Sequence, residues 1–125
     1  MNDIISTPAA PAAIGPYNQA VKSGNTLYCS GQIGLIPGTG ELATGLDAQV
    51  RQAFTNLTHV VEAAGGRFTD VVKFTLFVTD LAHFGEVNAI MQEFVKPPFP
   101  ARSCVEVTAL PKGALFEVEA IAVLP

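Results

Sequence analysis

Between Asp47 and Ala64 the chain stops alternating and sets its apolar residues three and four apart. Val50, Ala53, Phe54, Leu57, Val60, Val61 and Ala64 fall on one face of a helix, with Arg51, Gln52, Asn56 and Glu62 largely off it. Gly65-Gly66 ends the helix. A second helical run goes from Asp80, its N-cap, to Val95 and turns Leu81, Phe84, Val87, Met91 and Phe94 inward. Everything ordered around these two runs reads as β-strand. Asn18 to Lys22 and Thr26 to Ile33 make a hairpin across Ser23-Gly24-Asn25, and Val71 to Val78 is rich in β-branched and aromatic residues. Arg102 to Val107 and Leu115 to Val123 are the last strands, joined through a Leu110-Pro111-Lys112-Gly113 turn. The order is ββαβαββ, a mixed sheet with two helices.

Successive strand residues face opposite ways, so each strand divides into two faces. One is apolar throughout: Leu27, Cys29, Ile33; Val72, Phe74, Leu76, Val78; Val105, Val107; Phe116, Val118, Ala120, Ala122, Leu124. The helices are expected to cover it. The other mixes Tyr28, Ser30, Lys73, Thr75, Phe77, Arg102, Cys104, Glu117, Glu119, Ile121 and Val123. That face is too apolar to stay wet, and no helix remains to cover it. A second copy of the chain is the economical cover.

Composition supports self-association. Charged residues make up 14% of the 125-residue chain, against about 25% in a typical soluble domain. Mean hydropathy is +0.36. No run of about 18 apolar residues is present to span a bilayer, so no membrane role is expected. The first residues carry no secretory signal, which makes a cytoplasmic protein with free thiols at Cys29 and Cys104 the expectation. No metal-type spacing occurs. The net charge of −4, with seven Lys and Arg scattered singly, offers no basic stripe to nucleic acid.

Chemistry is expected around Phe99-Pro100-Ala101-Arg102-Ser103-Cys104-Val105-Glu106-Val107 and at Glu117. The planar fork of arginine holds a carboxylate through two parallel hydrogen bonds. An arginine and a glutamate on two late strands of so uncharged a chain suit a small carboxylate substrate. They suit an ion pair between subunits equally well.

The chain resembles the RidA (YjgF) family of reactive-intermediate deaminases. The likeness runs nearly end to end: Ala12-Ala13-Ile14-Gly15-Pro16-Tyr17, Ser30-Gly31-Gln32-Ile33, Val61-Glu62-Ala63-Ala64-Gly65 and Val78-Thr79-Asp80-Leu81. Its most specific block is Pro100-Ala101-Arg102-Ser103-Cys104-Val105-Glu106-Val107, followed by Leu110-Pro111-Lys112 and Ile121-Ala122-Val123. The fold this implies is α+β: one chorismate-mutase-like domain over residues 1–125, with a six-stranded mixed sheet and two helices on one face. The resemblance also implies a homotrimer with sheets packed inward and clefts between subunits. The activity implied is cofactor-free hydrolysis of enamines and imines, such as 2-aminoacrylate and 2-aminocrotonate, to 2-keto acids and ammonia. Carried over residue by residue, Arg102 takes the substrate carboxylate and Glu117 the attacking water. Cys104 contributes mainly its backbone carbonyl, while Tyr17, Ser30, Gly31, Phe84 and Asn88 line the cleft. Two departures, a shorter loop at Lys96-Pro97-Pro98-Phe99 and Thr108-Ala109 in place of a usual Ala-Arg, fall at the rim of that cleft.

Each residue also has a plainer reading. Cys104 is a small buried hydrophobe, Phe84 a core side chain, and His59 and His83 are solvated helix residues. Ser30-Gly31 is a strand with a close backbone approach, and Tyr17 an anchoring aromatic. A 2-keto acid sensor that uses the Arg102 clamp without turnover fits the same residues, and the family resemblance adds a third reading, an RNA-cleaving or translation-inhibiting protein. A second carboxylate beside the ligand gains a pure carboxylate binder nothing, and the charge opposes RNA.

Overall fold

The computed structural model describes residues 2–125. Its long elements are β1 (Asp3–Ile5), β2 (Ala20–Ser23), β3 (Thr26–Ile33), α1 (Leu46–Ala63), β4 (Val71–Val78), α2 (Phe84–Phe94), β5 (Ala101–Glu106) and β6 (Phe116–Val123). The six strands form one sheet in the order β1-β2-β3-β6-β4-β5. Every neighbouring pair is antiparallel except β4 and β5, which run parallel and are linked through α2. The order ββαβαββ names five strands; the sixth is β1, which pairs with β2. At three residues it is too short to show a period.

The core lies between the sheet and the two helices. Phe54 of α1 is its centre, with ring centroids of Phe94, Phe116, Phe74 and Phe68 at 5.2, 5.6, 6.0 and 6.4 Å. Each aromatic ring taken wholly from water contributes about 1.5–3 kcal/mol. Gly65, at φ +88°, takes the left-handed position after α1 that a side chain would resist. On the surface Arg51 ties α1 to α2, bonding Glu93 at 2.8 and 3.0 Å while it also holds Asp47.

Two buried amides anchor α1 to the sheet. Asn56, expected largely off the apolar face, is fully buried and donates to the carbonyls of Ile33 and Leu35. Gln49 accepts from the backbone N–H of Leu115. Strand ends in a dry place need partners, and these amides supply them.

The expected apolar face is buried at Leu27, Cys29, Phe74, Leu76, Val78, Phe116, Val118, Ala120, Ala122 and Leu124. Val72 and Val105 are not: they are 47% and 43% exposed. A register shift between Val71 and Lys73 turns Val71 inward instead of Val72. In β5, Arg102 pairs with Phe74 and Cys104 with Leu76, so these two share the helix side and Val105 takes the other. Leu81 and Phe84 are also exposed rather than core. Asp80 caps a 3₁₀ turn, Leu81–His83, before α2 begins, and three residues per turn breaks the expected stripe.

The far face of the sheet carries Tyr28, Val123 and Val105, about half exposed, beside Phe77 and Ile121. No helix covers it. Among the described residues no helix is long and apolar enough to cross a membrane.

Candidate functional site

The strand register separates the predicted site residues into two groups on opposite faces of the sheet. Arg102 and Cys104 lie in line with Phe74 and Leu76 on the helix side, whereas Glu117 pairs with Phe77 on the open side. The expectation that Arg102, Cys104, Glu117 and Ser30 share one surface is therefore corrected. A slip of one residue in register exchanges the faces of a whole strand, and β5 takes its register from β4 alone.

The first group is built by β5 and α2. The guanidinium of Arg102 donates to Asn88 Oδ1, touches Met91 Sδ at 3.7 Å and sits over the Phe84 ring, 5.1 Å from its centroid. Phe84, Asn88 and Met91 are three or four apart on α2 and so present one face. Phe84 is thus a platform for the cation rather than a core residue. A cleft of about 360 Å³ opens beside them, lined by Asn88, Met91, Gln92, Val95, Phe99, Pro100 and Arg102. Among the described residues no carboxylate pairs with Arg102, so its fork remains open to a ligand. Cys104 packs against the core behind it. Burial pushes its thiol up, and the Arg102 charge opposes this only in part. Such a thiol is a poor nucleophile at neutral pH.

The second group gathers on β6, β3 and the lead-in. Glu117 is half-buried, and burial, reinforced by Glu119, raises its carboxyl above the usual glutamate range. Arg102 is not among the charges that act on it. Beside it, β3 changes register between Cys29 and Gln32, leaving Ser30 and Gly31 in a bulge. Ser30 donates from its hydroxyl to the Asn18 carbonyl at 2.6 Å and from its N–H to the Gln19 carbonyl at 2.9 Å. Gly31 lies directly against Glu117. Tyr17, 47% exposed, follows the tight turn at Gly15.

Sequence reasoning passed over Gln19. Its side chain is buried and clamps the lead-in, accepting from Thr7 N–H at 2.7 Å and donating to the carbonyls of Thr7 and Pro11 at 3.1 and 2.8 Å. Nothing in its surroundings marks it, because a buried glutamine just before a short strand looks like any polar alternation. Met91, Val95 and Phe99 were likewise unassigned to the cleft. The run Pro97-Pro98-Phe99-Pro100, which holds an aromatic on a stiff loop, was the available signal.

The histidines are not simply solvated. His59 Nδ1 lies 2.9 Å from the Ala9 carbonyl, and His83 Nδ1 is buried without a partner among the described residues. Both cysteines are free; burial pushes the Cys29 thiol up to about 12. Among the described residues no cluster of His, Cys, Asp or Glu is arranged to hold a metal.

Residues 7–124 match the family described as Endoribonuclease L-PSP. A 2-iminobutanoate/2-iminopropanoate deaminase of Dermatophagoides farinae is 52% identical over 97% of this chain and 95% of its own length. A protein of the same name from Escherichia coli is 51% identical over 98% of each chain. The crystal structure of RidA from an Antarctic Psychrobacter superposes with a TM-score of 0.96 at 48% identity, covering 98% of this chain and 99% of that one.

Proposed function

The chain belongs to the RidA (YjgF) family, the one described as Endoribonuclease L-PSP, and from that premise we propose that it hydrolyses small enamines and imines derived from amino acids. The relatives named 2-iminobutanoate/2-iminopropanoate deaminase support this reading. The observation that carries it is an arginine fork with no carboxylate partner among the described residues, while the raised carboxyl of Glu117 lies on the opposite face of the same sheet.

Neither group is a complete site. A guanidinium alone binds a carboxylate, and a glutamate alone has nothing to hold its substrate. A homotrimer with the open faces inward brings the Glu117 side of one subunit to the Arg102 side of the next. The uncovered apolar residues Tyr28, Phe77, Val105, Ile121 and Val123 favour such packing. In the assembled cleft Arg102 takes the substrate carboxylate, with Phe84 and Asn88 holding the fork, and Tyr17, Ser30 and Gly31 line the wall beside Glu117.

Hydrolysis then follows from simple steps. The enamine takes a proton at its terminal carbon and becomes an iminium ion. Water adds to the nitrogen-bearing carbon as Glu117 accepts a proton. The tetrahedral adduct expels ammonia when Glu117 returns that proton to nitrogen and the hydroxyl gives up its own to form the keto group. The products are a 2-keto acid and ammonia. A carboxyl raised by burial holds a proton more readily than an ordinary glutamate, which suits a group that accepts a proton and returns it. Orientation by the clamp and proton transfer are the two contributions required of the protein. No step calls for a cofactor, a metal or the Cys104 thiol; Cys104 contributes its backbone carbonyl. The setting is cytoplasmic, beside the enzymes that release such intermediates. RNA is not the substrate on this reading, since a net charge of −4 gives a phosphate backbone little to bind.

The test is 2-keto acid release while a dehydratase generates 2-aminoacrylate from serine, with wild type, Arg102→Ala and Glu117→Ala. Acceleration by wild type alone upholds the reading. A spontaneous rate with wild type, alongside 2-oxobutyrate binding that Arg102→Ala abolishes, replaces it with a sensor.

A further inference from the structure

Three glycines lie where a side chain has no room, and they differ in what stands in the way. A Cβ on Gly34 would meet the Cα and carbonyl oxygen of Gln49 at 2.6 Å, so that glycine lets α1 pack on the sheet. One on Gly66 would meet the Leu124 side chain at 2.3 Å, inside the core. For one on Gly31 the three nearest atoms all belong to Glu117: Oε2 at 2.7 Å, Cδ at 2.8 Å and Cγ at 3.1 Å. We propose that Gly31 is a positioning residue, whose missing side chain is what allows the Glu117 carboxylate to lie against the bulge of β3 in its half-buried orientation.

The glycine cannot yield in place of the glutamate. Ser30 ties the bulge to the carbonyls of Asn18 and Gln19, and Gln19 is itself clamped into the lead-in. Gln32, next along, is paired with Val118 on the buried side. A methyl group at position 31 therefore swings the flexible carboxylate out, away from the bulge and toward water. Gly31 has no positive φ, so alanine is compatible with its backbone. The other groups near Glu117 do not pin it. Glu119 repels it from its own strand; β4 presents Phe77 opposite it and Lys73 further along, directed to Ser103; β3 presents Ile33 and, further along, Tyr28.

The geometric claim stands on the contact itself, and its catalytic consequence rests on the role given to Glu117 above. Gly31→Ala, Glu117→Ala and the double variant separate the two. For Gly31→Ala we expect a native fold and assembly and a Glu117 carboxyl titration, followed by carbon NMR, that falls toward the ordinary glutamate range. Turnover is expected to drop about 100-fold with KM little changed, as for a misplaced catalytic group. In the Glu117→Ala background the Gly31→Ala change is expected to cost nothing more. An unmoved titration in folded Gly31→Ala overturns the proposal, and so does a further loss in the double variant. Should Gly31→Ala fail to fold, recovery of folding in the double variant upholds the contact, and continued failure refutes it. If Glu117→Ala keeps full turnover while the titration still moves, the contact stands and the catalytic reading of Glu117 falls.

Discussion

The Arg102 group and the Glu117 group are built in opposite ways. The first comes from one continuous stretch, β4 to β5, in which the crossover helix lays Phe84, Asn88 and Met91 beside the strand that follows it. The second draws on the lead-in, β3 and β6, which are far apart in sequence and meet only through the sheet. Their electrostatics differ in the same sense. Arg102 keeps its charge in reach of water on an aromatic platform, while Glu117 is drawn toward its neutral form by burial. An always-charged group needs no special environment to bind a carboxylate; a weak acid needs a drier one to exchange protons near neutral pH. On the proposed reading, the anchor is made locally and the acid–base group globally, and their meeting is left to assembly.

The sharpest test of that division is catalytic. Glu117→Ala is expected to lower kcat by about 10²–10⁴-fold and to leave 2-keto acid binding nearly intact. Arg102→Ala should do the reverse, weakening binding by roughly 10–100-fold, as for a lost charge-assisted hydrogen bond of about 1.5–3 kcal/mol. Arg102→Lys should not repair it, because a point charge lacks the fork. Co-refolding the two impaired variants should return part of the activity at limiting substrate, since mixed assemblies contain some clefts with both groups intact. No recovery in mixtures shown to exchange subunits would mean that the two groups do not meet between copies.

A smaller effect is expected beneath the cation. Phe84→Leu removes a platform contributing about 0.5–1 kcal/mol at an exposed site, which titration calorimetry should register as a two- to fivefold weaker 2-oxobutyrate affinity. An unchanged affinity would reduce Phe84 to a bystander.

Smallest is the stability contrast on the other side. A carboxyl raised by burial favours the folded state fully only below its unfolded pKa, and that contribution is lost as pH rises through the folded pKa. Glu117→Gln should therefore melt slightly above wild type at neutral pH, with the gap closing below about pH 4. A gap that widened in acid would reverse the sign assigned to burial.

Much of this fold was legible because its signals are local. The expected helix from Asp47 to Ala64 and the observed Leu46–Ala63 differ by one residue at each end, and β3 and β4 have the bounds read from their residues. Glycines at 65 and 66 and a run of period 3.6 need no tertiary context. The misreadings have one common character. Val72 and Val105 were expected inside, and Arg102 and Cys104 on the open face, because alternation was counted without the register shift at Val71 or the pairing of β5. Leu81 and Phe84 were expected inside because the 3₁₀ turn was read as helix. Asn56 was left off the buried face because its partners, the carbonyls at the end of β3, belong to another element.

The sequence by itself determined the two helices, the order of the five longer strands, the family likeness, and the residues proposed to hold and process a small carboxylate. These follow from periodicity, stop residues and side-chain chemistry, all of which act over a few neighbours. The tertiary structure decided which face of the sheet each group took, and that Glu117 lies against Gly31. Strand side chains alternate with a period of two, so one residue of register, imposed by hydrogen bonds to the adjacent strand, sends the same arginine to either side.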